Sequence, residues 1–281
     1  MAFKDILVHI DSSDACTDRV AAALALAERH EARVIGAALA LESTISSYVG
    51  IAIPASLVSQ QKEIVQKSAE EAVAKFTEAA KAAGVAHDSV VISCSASKAP
   101  ARLAYHARHV DLTFMGQPNP DDDNASFNET LLDGVLFASG RPVYVVPYIG
   151  RNIRPIRKAV IAWDGGKKAV RALNDAIPIL KDRNEVIVLV INPDDRGDAH
   201  GDKPGAEIAA HLARHGIEAK VDLHVAPDAS ADNLILNYLS DTGADLLVMG
   251  AYSHSRLRER AFGGVTNTIL KQMITPVLMA E

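Results

Sequence analysis

This chain has little of several things. It has two cysteines in 281 residues, Cys16 and Cys94. That is too few for a disulfide framework, and they lack metal-site spacing, so a reduced cytoplasmic interior is the expected compartment. No apolar run approaches the length of a membrane span. The opening MAFKDILVHID enters a strand directly, without the basic flank and longer apolar core of a signal peptide. There is no excess of positive charge: the net charge of −6 argues against a general affinity for nucleic acid or anionic membrane. No Walker loop with Gly-Lys-Ser, no nucleophile elbow and no Gly-x-Gly-x-x-Gly after the first strand is present. Without the Walker lysine to hold a leaving phosphate, dedicated ATP hydrolysis is not expected.

What is there is a soluble globular balance, 48% apolar and 23% charged, in a length that suits two domains. Those domains say nearly the same thing. Asp5-Ile-Leu-Val-His-Ile-Asp11 is answered by Lys158-Ala-Val-Ile-Ala-Trp-Asp164. Asp111-Leu-Thr-Phe-Met-Gly116 is answered by Asp245-Leu-Leu-Val-Met-Gly250, and Arg141-Pro-Val-Tyr-Val-Val146 by Thr275-Pro-Val-Leu-Met279. The order is the same in both halves, which marks a tandem repeat of one α/β unit, residues 1–149 and 150–281.

Short apolar runs near 4–10, 33–39, 89–93, 112–115 and 143–146 read as buried parallel strands. Amphipathic stretches near 15–30, 58–84, 97–109 and 127–139 read as helices, the first capped by Ser12, Ser13 and Asp14. The second half repeats this with strands near 158–163, 186–191, 219–225, 245–249 and 277–279. Its helices fall near 165–182, 205–215, 229–242 and 262–273. Pro178 is expected to kink or shorten the first of these. Between Asn192 and Gly205 the density of Asp, Gly and Pro predicts a surface loop. Strands alternating with helices predict two doubly wound parallel sheets of five strands, covered on both faces by right-handed crossovers. Ligands of such sheets sit beyond the carboxyl ends of the strands, where strand order reverses. That puts Asp164 and Gly250 on one rim.

From Gly250 the chain runs Ala-Tyr-Ser-His-Ser-Arg-Leu-Arg-Glu-Arg-Ala-Phe-Gly-Gly-Val-Thr266 into a helix. Glycines that bare the backbone, followed by a helix N-terminus, favour a bound phosphate. Arg256, Arg258 and Arg260 would add positive potential. Together with the strand order, this resembles the universal stress protein family. Its nucleotide-binding members carry Gly-x-x-Gly, nine residues, then Gly and Ser or Thr. Here the pattern reads Gly250-x-x-Ser253, nine residues, Gly263-Gly264-Val265.

The resemblance covers the whole chain as two family domains, of the adenine nucleotide alpha hydrolase-like fold. It implies an ATP site in the second half, with Mg2+ accompanying the nucleotide. Asp164 would meet the adenosine, Ile191 would bring backbone groups to the adenine edge, and Gly250 and Ser253 would line the ribose and phosphate approach. Gly263, Gly264 and Val265 would offer backbone N–H groups to the phosphates. Two departures stand out. Ser253 replaces a glycine, and Gly264 replaces a hydroxyl residue, which removes one hydrogen bond worth roughly 0.5–1.5 kcal/mol.

At equivalent spacing the first half reads Gly116-x-x-Asn119, then Glu129-Thr130, with Asp121, Asp122 and Asp123 between. Carboxylates there would repel a polyphosphate, so the first site is expected to be dead for ATP and Asp11 to act as a helix cap. The other candidates read as structural. His211 and His215 sit four apart on a helix, a spacing able to hold zinc, but without a metalloprotease carboxylate between them. His106 and His109 share a face near a helix end, where the dipole favours cations. His9 reads as a core histidine and Cys16 as a small core thiol.

The resemblance thus implies a cytoplasmic stress-response protein acting through interaction with other proteins. The last strands of its two halves are expected to pair as an internal pseudo-dimer, which can associate further as a homodimer. The rival readings are a slow ATPase or nucleotidyl-transferring enzyme working from the same cleft, and a nucleotide-free interaction scaffold.

Overall fold

A computed structural model describes residues 2–42, 55–149, 155–181, 183–193, 203–252 and 264–281. The chain gathers into two compact units, one of Ala2–Gly116 with Asp121–Arg141, the other of Gln117–Pro120 with Pro142–Glu281.

The first unit runs β1 (Asp5–Ile10), α1 (Ala15–His30), β2 (Arg33–Glu42), α2 (Ala55–Ala82), β3 (His87–Ser95), α3 (Ala99–Ala107), β4 (Leu112–Gly116) and α4 (Ala125–Ala138). Its strand order is β3-β2-β1-β4, with every pair given a register parallel. In β1 every residue after Asp5 is buried, as a strand covered on both faces requires. The expected cap of α1 is not made: Asp14 stands at the N-cap and its side chain makes no capping bond.

The second unit runs β5 (Val143–Val146), β6 (Lys158–Ala162), α5 (Lys167–Leu180), β7 (Glu185–Ile191), α6 (Ala206–Arg214), β8 (Ala219–His224), α7 (Ala231–Thr242), β9 (Leu246–Gly250), α8 (Val265–Gln272) and β10 (Val277–Ala280). Its order is β5-β10-β9-β6-β7-β8. All pairs from β10 to β8 are parallel, whereas β5 lies antiparallel on β10 with Val145 opposite Val277. The last strands of the two repeats are therefore hydrogen-bonded to each other, and β5 is grouped with the strands of the second repeat. Gln117 joins the same unit: its N–H donates to Val146 O and its buried Nε2 to Leu270 O, while Tyr148 N donates to its Oε1. Pro178 lies inside α5, which ends two residues later.

One repeated aspartate does the same structural task twice. Asp111 Oδ2 accepts from Lys4 N and Asp5 N at 2.7 and 3.1 Å. Asp245 Oδ2 accepts from Arg157 N and Lys158 N at 2.9 and 3.0 Å. Each carboxylate ties the residue before β4 or β9 to the start of β1 or β6. That fixes the stagger of the two strands whose far ends form the rim. Among the described residues no helix is long and apolar enough to cross a membrane.

Candidate functional site

Chain order in the second unit runs outward from β6 through β7 and β8 on one side, and through β9 and β10 on the other. The reversal falls between β6 and β9, so the rim beyond their carboxyl ends is the place for a ligand. Ala162 pairs with Leu189 and Ile161 with Val248. Asp164, Ile191 and Gly250 therefore stand at the ends of three adjacent strands, as the sequence placed them.

Each plays a visible structural part. Asp164 Oδ1 accepts from Gly166 N at 2.9 Å, turning the chain into the first turn of α5. A Cβ on Gly250 would lie 2.7 Å from Ala169 N and 2.8 Å from the Lys168 carbonyl carbon. Glycine is required there because the first turn of α5 rests directly on the end of β9. Ile191 is followed by Asn192, whose backbone is left-handed (φ 46°) and whose amide side chain bonds Ala226 N and Ala226 O. That exchange fixes the end of β7 against the segment leaving β8.

Three residues the sequence analysis did not single out organise the rim. Tyr252, buried with φ 53°, donates its N–H to Thr266 Oγ1 at 2.8 Å. This bond holds the first turn of α8 at the end of β9. Lys168 Nζ donates to Tyr252 O and to Glu281 Oε1, the latter at 2.6 Å. A signal for Lys168 did exist. Lys167 and Lys168 open a helix, where the dipole disfavours cations, so an anionic or carbonyl partner had to compensate.

Gly264 is the N-cap of α8 and no side chain among the described residues caps that end, while Val265 is the first residue of the helix. Backbone N–H groups at such an end are donors suited to an anion. Ser253 and Gly263 lie outside the described residues, as do Arg256, Arg258 and Arg260.

The first unit has filled the matching place. Arg19, 3% exposed, donates from Nε to His9 O at 2.6 Å and from Nη2 to Asp11 Oδ2 at 2.7 Å. Its Nη1 fills the space that a Cβ on Gly116 would need. Asp11 also accepts from Ser13 N and Ser13 Oγ. The expected role of Asp11 as a simple helix cap is corrected by this: it is the counter-ion of a buried guanidinium. Burial disfavours its charge, yet Arg19, His9 and the Ser13 bonds together hold its carboxyl down at about 2. His9 is pushed down to about 4 by burial and by Arg19, so at neutral pH it is an uncharged core residue. Burial raises the Cys16 thiol, whose sulfur accepts from Asp11 N.

The helix start differs as well. α4 begins at Ala125, so Glu129 and Thr130 lie within it, and Thr130 Oγ1 donates to Ser126 O. In the second unit α8 begins at Val265, with Gly264 as its N-cap.

The histidine pairs also have local settings. The rings of His211 and His215 meet edge to face at 4.7 Å, and His109 Nδ1 lies 2.9 Å from Tyr105 O. Among the described residues no three His, Cys, Asp or Glu side chains gather as a metal site.

Fold and rim define an α/β protein of the doubly wound type, whose first repeat sets a buried arginine against its strand-end aspartate and whose second has alanine at that position. Residues 155–281 match the sequence model of the universal stress protein family. It is 28% identical over 149 residues to a universal stress protein of Synechocystis sp.. That match spans 52% of this chain and 49% of the relative, so the chain covers about half of the relative's length. Among solved structures, a universal stress protein from Archaeoglobus fulgidus DSM 4304 matches with a TM-score of 0.77 at 17% identity, over 99% of this chain and 96% of that one. A functionally unknown protein from Pseudomonas aeruginosa PAO1 matches with a TM-score of 0.56 at 15% identity, over 99% and 92% of the two chains. At these identities the structural likeness speaks for the fold.

Proposed function

We propose that the rim between β6 and β9 holds an adenine nucleotide, with ATP the first candidate, and that the bound state selects a surface for protein interaction in a stress response. The observation that carries this reading is the Tyr252 N to Thr266 Oγ1 bond, which seats the uncapped N-terminus of α8 on the rim that Asp164 occupies. The chemistry of the donor set suits the ligand. A carboxylate accepts from ribose hydroxyls, and helix N–H groups donate to phosphate. Val265 and Gly264 supply the latter, and Ile191 the strand-end backbone for the base. Mg2+ would enter with the nucleotide. The first unit is read as a supporting copy, because Arg19 occupies its equivalent space.

One observation favours a nucleotide-free scaffold instead. Gly250 is explained by its contact with α5, so its identity alone does not call for a ligand.

Calorimetric titration with ATP and Mg2+ separates the readings. Saturable binding with about one site per chain is expected. Asp164→Ala and Gly264→Glu should weaken it by roughly tenfold or more, through a lost acceptor and a carboxylate set against the phosphates. Asp11→Ala should leave it unchanged. Absence of heat in the wild-type protein supports the scaffold. Conversion of many equivalents of ATP to ADP supports the enzyme.

A further inference from the structure

At the far end of the second unit's strand order stands β8, and its outer edge has no strand beside it among the described residues. With three flanking residues, Ile217, Glu218 and Val225, its sequence alternates strictly. Ile217, Ala219, Val221, Leu223 and Val225 are apolar, and Glu218, Lys220, Asp222 and His224 carry charge or can take it. Usually the apolar face of such a strand is covered by a crossover helix. In the first unit that helix is α2, 28 residues long; here it is α6, with nine. The Gly205 N-cap of α6 sits over Val221, where an added Cβ would come 2.8 Å from Val221 Cγ1. Further along, Leu223 is 49% and Val225 66% exposed.

We infer that β8 is an interface for a second copy of this chain, paired antiparallel to its own counterpart with Val221 opposite Val221. Backbone directions permit it. His224 O accepts from Asn192 N, so the even residues of β8 turn their N–H and C=O toward β7. By alternation, Ala219, Val221 and Leu223 turn theirs to the open edge.

An antiparallel partner must then match odd residues with odd residues, and the charges choose among the registers that do so. Centring on Lys220 sets lysine on lysine. Centring on Asp222 sets aspartate on aspartate and Lys220 on His224. Centring on Val221 sets Lys220 on Asp222 twice and Glu218 on His224 twice. In the same register Leu223 lies beside Ala219 of the second copy, and Val225 beside its Ile217. Directly opposite residues share a face, so the apolar stripe becomes continuous across both copies.

The groups keep capacity for these partners. Lys220 Nζ spends one bond on Glu185 and has three N–H groups, and Tyr238 OH occupies one oxygen of Asp222, with His224 Nε2 3.5 Å from the other. An exposed edge lysine ordinarily deters strand pairing. Here it sits where a carboxylate of the second copy answers it.

Sedimentation of the full chain tests this. A species of twice the 29.9 kDa chain mass is expected at micromolar concentration. Val221→Pro removes an outward N–H without touching the β7 ladder and should give monomer with an unchanged circular dichroism spectrum. Lys220→Glu and Asp222→Lys should each raise the dimer dissociation constant roughly tenfold or more, by making like-charge pairs. The double variant Lys220→Glu with Asp222→Lys should restore the dimer. A monomeric wild type overturns the proposal, as does a dimer indifferent to Val221→Pro. A folded double variant that stays monomeric overturns the register.

Discussion

Arg19 Nη2 donates to Asp11 Oδ2 at 2.7 Å, and this one contact separates the two repeats. Counting from the strand-end aspartates, the position of Arg19 in the second repeat is Ala172, a buried methyl on α5. Each repeat carries an aspartate just beyond its first strand, at the rim of its own unit. One has supplied that carboxylate with a cation from its own first helix. The other has put alanine there, so α5 sends no guanidinium to the strand end from that position.

Arg19→Met keeps the side-chain stem and removes the cation. Asp11 would lose its charge partner and His9 O its donor. Breaking a fully buried pair costs about 3–5 kcal/mol. Asp11 is a third exposed, so screening lowers the expected loss to about 1–3 kcal/mol, read as a shift of the urea midpoint. The variant should gain no ATP affinity in the first unit, because Glu129 and Thr130 still lie inside α4. An unchanged midpoint would show that the pair carries no net stability.

Acid should unsettle this same cluster in two windows. His9 has a folded value of about 4 against 6.5 in the unfolded chain. Between those values the unfolded chain holds more protons, so stability falls as pH drops from 6.5 toward 4. Asp11 has a folded value of about 2 against 3.8. Its stabilisation is present above 3.8 and is lost as pH falls through 2. His9→Gln should flatten the first window and narrow the second, since His9 is one of the groups that hold Asp11 down. Unfolding free energies measured from pH 7 to pH 2 check both slopes, and a wild-type curve flat between 6.5 and 4 would refute the first.

Much of the fold was legible because it rests on local pattern. The repeated apolar runs set the strands of both units, and the last strands of the repeats were expected to pair, as β5 and β10 do. The rim was legible too, since Ile191 and Gly250 end their strands and Asp164 follows β6 by two residues. What sequence could not give was side-chain reach. Arg19 looked like one more charge on an amphipathic helix, and its burial depends on Gly116 ninety-seven residues later. Tyr252 and Thr266 looked like ordinary residues flanking a loop, because a backbone N–H bonded to a hydroxyl leaves no spacing signal. The repeated Asp111 and Asp245 were visible as a motif, but its role as a clamp appears only when β1 lies beside β4 and β6 beside β9.

Those clamps predict matching costs. Asp111→Ala and Asp245→Ala each leave two strand-start N–H groups without their acceptor. Water reaches part of each site, so the loss should be about 1–2 kcal/mol rather than the larger penalty of a dry one. Equal costs in the two repeats, measured by chemical denaturation, would identify the aspartate as a device of the fold. A loss of ATP binding in Asp245→Ala at unchanged stability would move it into the site instead.

Gly250→Ala isolates the contact between β9 and α5. The added carbon would stand within 2.9 Å of the Ala169 nitrogen, the Lys168 carbonyl carbon and Lys168 Cβ. Two of these are backbone atoms, so rotation of a side chain cannot relieve the clash. The first turn of α5 must move off the strand end, at a cost of about 1–3 kcal/mol. Lys168 rides on that turn, so its bonds to Tyr252 O and Glu281 should loosen with it. Amide hydrogen exchange should therefore quicken at Tyr252 and in the first turn of α8, while exchange in β1 and β4 stays unchanged. Faster exchange in both repeats would mean that the substitution had destabilised the whole chain, and equal exchange in all of them would mean that α5 is not held by the strand end.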